Sequence, residues 1–195
     1  MKSFLLASAA AIALTGTANA KGFTISTFGG ANFGDVSYDN GWISAKDSTG
    51  YAIGAALGTS IDPVPGLSVE GELAFRSNGI DIDVCGDPLA ATDRTWSIMS
   101  NARYRFATPS WPVHPVVLVG AGYGSRTASL DAYPAELTGQ GFVVQAGAGL
   151  ETQVAAGVHV GLEYRVFDAP NISIGDFESD GINQSVLLTA TVNFN

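Results

Sequence analysis

Eight charged residues of this chain fall on one parity of segments that alternate in polarity: Glu70, Glu72, Arg76, Arg103, Arg105, Glu151, Glu163 and Arg165. Four carboxylates and four guanidinium groups sharing one face have ion pairing as their common chemistry. Isolated charges withdrawn from water are costly, so such a set must pair or hold trapped water. The planar fork of arginine suits that task because it can hold a carboxylate through two parallel hydrogen bonds. Glu70 and Glu72 are expected beside Arg103 and Arg105 across one hairpin. The cluster reads either as a gate or narrow ion path, or as a structural polar plug.

Other candidate chemistry is weaker. His114 and His159 are the two histidines, and neither has the serine and carboxylate that an acyl-transfer triad requires. Both stand at the start of alternating segments and are expected to be solvated or at an interface. Gly120-x-Gly122-x-Gly124 has the spacing of a nucleotide loop but no helix follows it. Asp176-x-Glu178-x-Asp180-Gly181 resembles the start of a calcium loop, yet its twelfth position is Leu187 where a bidentate glutamate is needed. No catalytic residue, metal site or cofactor is therefore expected. The single cysteine, Cys85, cannot close an internal disulfide and reads as a free thiol in a loop.

The elements that must position these charges are strands. Ile182 to Asn195 alternates almost without a break, with Val186, Leu188, Ala190, Val192 and Phe194 on one side and Ser185, Thr189, Thr191 and Asn193 on the other. The same pattern predicts about eight strands near 22–33, 49–60, 67–78, 94–106, 114–125, 140–154, 157–168 and 182–195. Connections near 61–66, 107–113 and 155–156 are short and dense in turn formers. Those near 34–48, 79–93, 126–139 and 169–181 are long and predicted as loops. They carry the acids Asp35, Asp39, Asp47, Asp81, Asp83, Asp87, Asp93, Asp131, Glu136, Asp176, Glu178 and Asp180. Short turns at one end and long loops at the other is the asymmetry of outer-membrane barrels.

The outward parity is apolar throughout. With both chain ends placed in the periplasm, Tyr51, Phe75, Trp96, Tyr123, Phe142 and Tyr164 fall near the outer ends of their strands. Phe23, Tyr104, Phe106 and Phe194 fall near the inner ends. Two lipid-facing aromatic belts at headgroup level are thus expected. The eight charges then lie in a lumen only wide enough for side chains, which favours the plug over the path. The inward glycines (Gly54, Gly58, Gly120, Gly122, Gly147, Gly149 and Gly161) should thin the packing and leave water pockets.

Composition agrees with this picture. Hydrophobic residues make up 46% of the chain and charged ones 14%, against about 25% charged in ordinary soluble proteins. Residues 1–20 read as a cleaved export signal: Lys2, an apolar core from Phe4 to Leu14, and Ala18-Asn19-Ala20 as the cleavage site. Residues 21–195 then form one barrel domain. Loss of Lys2 moves the formal charge from −9 to −10, which gives no electrostatic basis for binding nucleic acid.

Several stretches resemble the OmpA/Opa-like small outer-membrane β-barrels, in particular the porin-family surface antigens of Gram-negative bacteria. These are Pro115 to Gly124, Gly147 to Glu151, Gly161-Leu162-Glu163-Tyr164-Arg165 and the alternating end at Phe194. The resemblance covers essentially the whole mature chain. It departs at the C-terminus, where Asn195 follows the aromatic residue read by the barrel-insertion machinery. It implies an all-β, eight-stranded antiparallel up-and-down transmembrane barrel in the outer membrane. The expected function is non-enzymatic: a monomer serving envelope integrity, adhesion or antigenicity through long acidic extracellular loops. The alternative is a narrow porin-like channel passing small solutes or ions. Expected partners are outer-membrane lipid, lipopolysaccharide, the insertion machinery and a host or surface ligand at the loops.

Overall fold

A computed structural model describes residues 22–34, 37–39, 43–62, 64–84, 87–107, 110–130, 136–174 and 177–194. The expected export signal at 1–20, Cys85, Asp35, Asp131, Asp176 and Asn195 lie outside the described residues. Alternation produces strands and no helix among those described. They are β1 (Phe23–Gly34), β2 (Ser37–Asp39), β3 (Ile43–Asp47), β4 (Gly50–Ser60), β5 (Leu67–Val84), β6 (Asp87–Arg105), β7 (Val113–Leu130), β8 (Glu136–Ala155), β9 (Val158–Ile174) and β10 (Phe177–Phe194).

Eight of these make a closed antiparallel up-and-down barrel. Each long strand pairs with its neighbours in the order β5-β4-β1-β10-β9-β8-β7-β6, and β6 returns to β5. The seam between the chain ends is in full register, from Phe23 opposite Phe194 to Gly34 opposite Asn183. Closure of these eight strands removes the free edges that hydrocarbon would not tolerate. The small β2 and β3 form a hairpin, and β3 prolongs the line of β4 by pairing with the far end of β5.

The turns at the chain-terminus end are short, as expected. In the turn before β5, the Ile61 N–H donates to the Leu67 carbonyl, Leu67 N–H to Val64 and Val64 N–H to Ile61. Gly66 takes φ +90 in that turn and Gly157 takes φ +71 between β8 and β9, a left-handed region where a Cβ is strained.

At the other end the structure corrects the sequence reading. Residues predicted as long loops are mostly strand: β5 runs to Val84 and β6 begins at Asp87, β7 runs to Leu130 and β8 begins at Glu136, β9 runs to Ile174 and β10 begins at Phe177. The pairing there is continuous, from Leu67 opposite Tyr104 to Val84 opposite Asp87.

The reason these extensions escape a parity search is that the pattern inverts. On β5, Phe75 faces outward, and so do Ser77, Asp81 and Asp83 beyond it, whereas Ile80 and Ile82 face inward. On β6, Trp96 is outward, followed by exposed Arg94, while Ala91 is buried inside. On β9, exposed Asp168 alternates with buried Phe167 and Ala169. Below the level of Phe75 and Trp96 the barrel is apolar outside and polar within; above it the arrangement is that of a water-soluble barrel. Trp96 on β6 and Phe106 just past its end bracket about ten residues, the span a tilted strand needs to cross hydrocarbon. The remaining length projects beyond it.

Candidate functional site: the charged lumen

Seven of the eight expected lumen charges are buried: Glu70, Glu72, Arg76, Arg103, Glu151, Glu163 and Arg165. Arg105 is the exception. Its side chain is 40% exposed at the turn end of the barrel. Inward parity delivers these side chains from β5, β6, β8 and β9, and the curvature of the closed sheet brings them together.

Their contacts form one chain of alternating charge. Glu72 on β5 accepts from Arg165 on β9 at 2.8 Å, and Arg165 also holds Glu163 at 2.8 Å. Glu163 is shared with Arg103 of β6, which in turn holds Glu151 of β8 at 2.9 Å. Glu151 then pairs with Arg105 at 3.2 Å. Arg105 donates to Nε2 of His159, whose Nδ1 lies 3.0 Å from the Asn193 amide. Every interior member of the chain has two oppositely charged neighbours, the arrangement by which burial of charge is offset.

The pairing differs from the sequence expectation. Glu70 lies opposite Asn101 and Glu72 opposite Met99 in the β5–β6 register. Glu72 therefore meets Arg165 across the lumen instead of Arg103 or Arg105 along its own hairpin. Glu70 accepts from the Ser68 hydroxyl. His159 is buried at the end of the ion-pair chain.

Neutral amides cap the chain on the other side. Asn101 and Gln145 both donate to Glu72, and Gln145 also donates to Asn101. Arg76 is placed above them, outside the ion-pair chain. It donates to Ser97 and Gln145, and its guanidinium lies 3.7 Å from the centroid of the Phe167 ring. A ring face can take the place of a carboxylate for a desolvated guanidinium. Met99, Val143, Phe167 and Ala169 form the apolar cluster around it.

Two features were absent from the sequence reading. Asp93 and Arg126, both assigned to loops, form a buried ion pair at 2.7 Å between β6 and β7. Continuing the parity of β6 past Trp96 would have turned Asp93 inward. The second is a layer in which Asn32 donates to Asn183 and accepts from Ser185.

The inward glycines also make room for the charges. A Cβ at Gly58 would stand 2.7 Å from the Glu70 side chain, and one at Gly149 2.6 Å from Glu163. At Gly147 it would meet Arg165 at 2.9 Å, and at Gly161 Glu151 at 3.2 Å. These four glycines seat charged side chains, and Gly161 with Glu151 and Thr189 also lines a cavity.

The expected belt aromatics stand on the outer wall. Tyr51, Trp96, Tyr123, Phe142, Tyr164, Phe23, Phe106 and Phe194 are exposed, and Phe75 and Tyr104 half-buried. Phe75 is the register partner of Trp96, and Tyr123 that of Phe142. Tyr104 packs edge-on against Phe106. Among the described residues, no group of three His, Cys, Asp or Glu is arranged to hold a metal ion.

Residues 3–194 match the family described as outer membrane protein beta-barrel domain. The chain belongs to that family. Among solved structures, this outer-membrane barrel resembles Neisserial surface protein A, with a TM-score of 0.59 and 17% identity over 89% of this chain and 97% of that one. It also resembles the N-terminal barrel domain of Pseudomonas aeruginosa OprF, with a TM-score of 0.48 and 16% identity over 89% of this chain and 100% of that one. The Yersinia pestis attachment invasion locus protein gives the same score and identity over 89% and 99%. A comparison with curated protein sequences yields no match. The outer-membrane barrel family places the chain in the outer membrane of a Gram-negative bacterium, and its fold has the closed, polar-filled form described above.

Proposed function

We propose that this outer-membrane barrel has a structural and surface-interaction role, in envelope integrity, adhesion or antigenicity, with a lumen that is closed to solutes. The observation that carries this reading is the ion-pair chain from Glu72 through Arg165, Glu163, Arg103 and Glu151 to Arg105. A conducting path needs groups that release an ion as readily as they bind it. Here each interior charge is already held by two protein partners, and the intervening glycine sites are occupied by the same side chains.

The contact region for partners is the projecting hairpin end. Exposed Asp81, Asp83, Glu136 and Asp168 give its outer surface an acidic character on a framework of paired strands. Such a surface suits recognition by a host or surface ligand, while lipopolysaccharide and lipid contact the wall below. The barrel acts as a monomer, delivered by the insertion machinery after cleavage of the signal at Ala20.

Single-channel recording in planar bilayers tests the closed lumen. The protein is expected to be silent, and the double variant Arg103→Ala/Glu163→Ala, which removes the centre of the chain, is expected to show small openings. Persistent openings of the unaltered protein would favour the porin-like alternative. Exchange of residues 79–93 and 169–181 for an unrelated hairpin should abolish binding to cells or matrix without affecting insertion.

A further inference from the structure

Among the described residues, five arginines turn their side chains into the lumen: Arg76, Arg103, Arg105, Arg126 and Arg165. Arg94 does the opposite. It is exposed on the outer wall of β6, two residues beyond Trp96 on the same face, and no hydrogen bond or ion pair engages it among the described residues. Its register row is made of hydroxyls. Ser77 lies opposite it on β5 and Thr127 opposite it on β7, and Thr127 is opposite Thr138 on β8. The Thr127 and Thr138 hydroxyls are 3.3 Å apart and exposed.

The height of this row is informative. Indole rings settle at the headgroup level of a bilayer, and two strand residues add roughly 7 Å along the strand. The guanidinium therefore stands at or just above the aromatic level, where the hydrocarbon ends. The outer-face acids Asp81 and Asp83 are further from the membrane, opposite Ala90 and Pro88 of β6. An unpaired planar cation flanked by hydroxyl donors is the chemistry of phosphate recognition.

We infer that Arg94, with Ser77 and Thr127 of the adjoining strands, holds the phosphate of lipid A in the outer leaflet. The inference rests on the barrel standing with its hairpin end outermost, as outer-membrane barrels do, and is independent of the closed lumen. It names the outer-wall residues through which the lipopolysaccharide contact is made. Such a site would order one lipid against the β5–β8 side of the barrel directly below the acidic hairpins.

Trp96 reports on the site directly. In a Trp42→Phe/Trp111→Phe background, the protein is placed in nanodiscs of brominated phosphatidylcholine, which quenches the remaining indole. Unbrominated diphosphoryl lipid A should relieve quenching at about fivefold lower mole fraction than its dephosphorylated form, the preference one arginine near a membrane surface supplies. Arg94→Gln should erase the difference and Arg94→Lys should keep part of it. A difference that persists in Arg94→Gln, or none in the parent, would overturn the assignment. Inorganic phosphate added at constant ionic strength should compete with lipid A in the parent and have no effect on Arg94→Gln; a phosphate effect that persists in Arg94→Gln would also overturn it. Native mass spectrometry of the protein with all three tryptophans, counting retained lipid A, makes the same comparison without the background substitutions.

Discussion

The guanidinium of Arg165 lies over the ring of Phe28, 4.3 Å from its centroid, while its nitrogens hold Glu72 and Glu163. One side chain thus joins β9, β5 and β1 across the lumen. Phe28 is 7% exposed and is the only aromatic of β1 that points inward. Its ring can lie flat against the wall because Gly54 on the neighbouring β4 is its register partner and offers no Cβ.

Replacing Arg165 by methionine keeps the packing over Phe28 but leaves two buried carboxylates with fewer partners. Breaking a buried pair in this way costs about 3–5 kcal/mol. Urea unfolding in lipid vesicles, followed by the gel shift between folded and unfolded forms, is expected to show that loss. Adding Glu72→Gln should recover part of it, because the removed charge no longer needs a partner. Equal and additive losses would mean that Arg165 and Glu72 are not coupled.

The seat beneath Phe28 gives a second expectation. A Cβ at position 54 would enter the Phe28 ring and approach the Leu73 carbonyl oxygen at 2.6 Å. Gly54→Ala should therefore destabilise by about 1–3 kcal/mol, the usual cost of overpacking. Phe28→Leu in the same chain should relieve some of the strain, so the two substitutions should combine non-additively in the same unfolding assay.

Depth along the outer wall should govern tolerance of charge. Leu162 is 53% exposed on β9, between the two aromatic levels. Leu162→Arg should cost about 2–4 kcal/mol, whereas Thr138→Arg, above the upper level, should cost no more than about 1 kcal/mol. Comparable penalties at both positions would place the hydrocarbon boundary beyond Thr138 and contradict the projecting end.

The seam of the barrel should depend on its aromatic stack. The rings of Phe23 and Phe194 are 4.4 Å apart and 8° from parallel, at the first register pair of β1 and β10. Phe194→Ala should remove about 0.5–1.5 kcal/mol of ring–ring interaction in addition to the buried area. Refolding into vesicles should slow, since this pair closes the ring of strands, and Phe194→Tyr should refold at close to the parent rate.

Much of this protein was legible before its structure. Period-two alternation assigns every side chain to one of two faces because successive Cβ atoms of a strand point oppositely. That alone placed Glu72, Arg103, Glu163 and Arg165 on the side opposite Tyr51, Trp96 and Phe142, and the low charge content marked the outer side as the one facing lipid. The same parity turned Phe28 and Phe167 inward, though an aromatic residue in such a sequence is naturally assigned to the belts. Beyond Phe75 and Trp96 the solvent outside changes from hydrocarbon to water. The polar face therefore moves from inside to outside, and a search for apolar-outward strands reads Asp81 and Asp83 as loop.

Only the tertiary structure decided which charges meet. Parity states a face but not a neighbour; the neighbour follows from register and from the curvature that brings β5, β6, β8 and β9 together around a narrow lumen. Hence Glu72 reaches Arg165, far away in sequence, and Arg103 reaches Glu151 and Glu163 instead of the acids of its own hairpin. The seats of these side chains were equally invisible, because a glycine in a sequence shows that a Cβ is missing and not what fills the space it leaves.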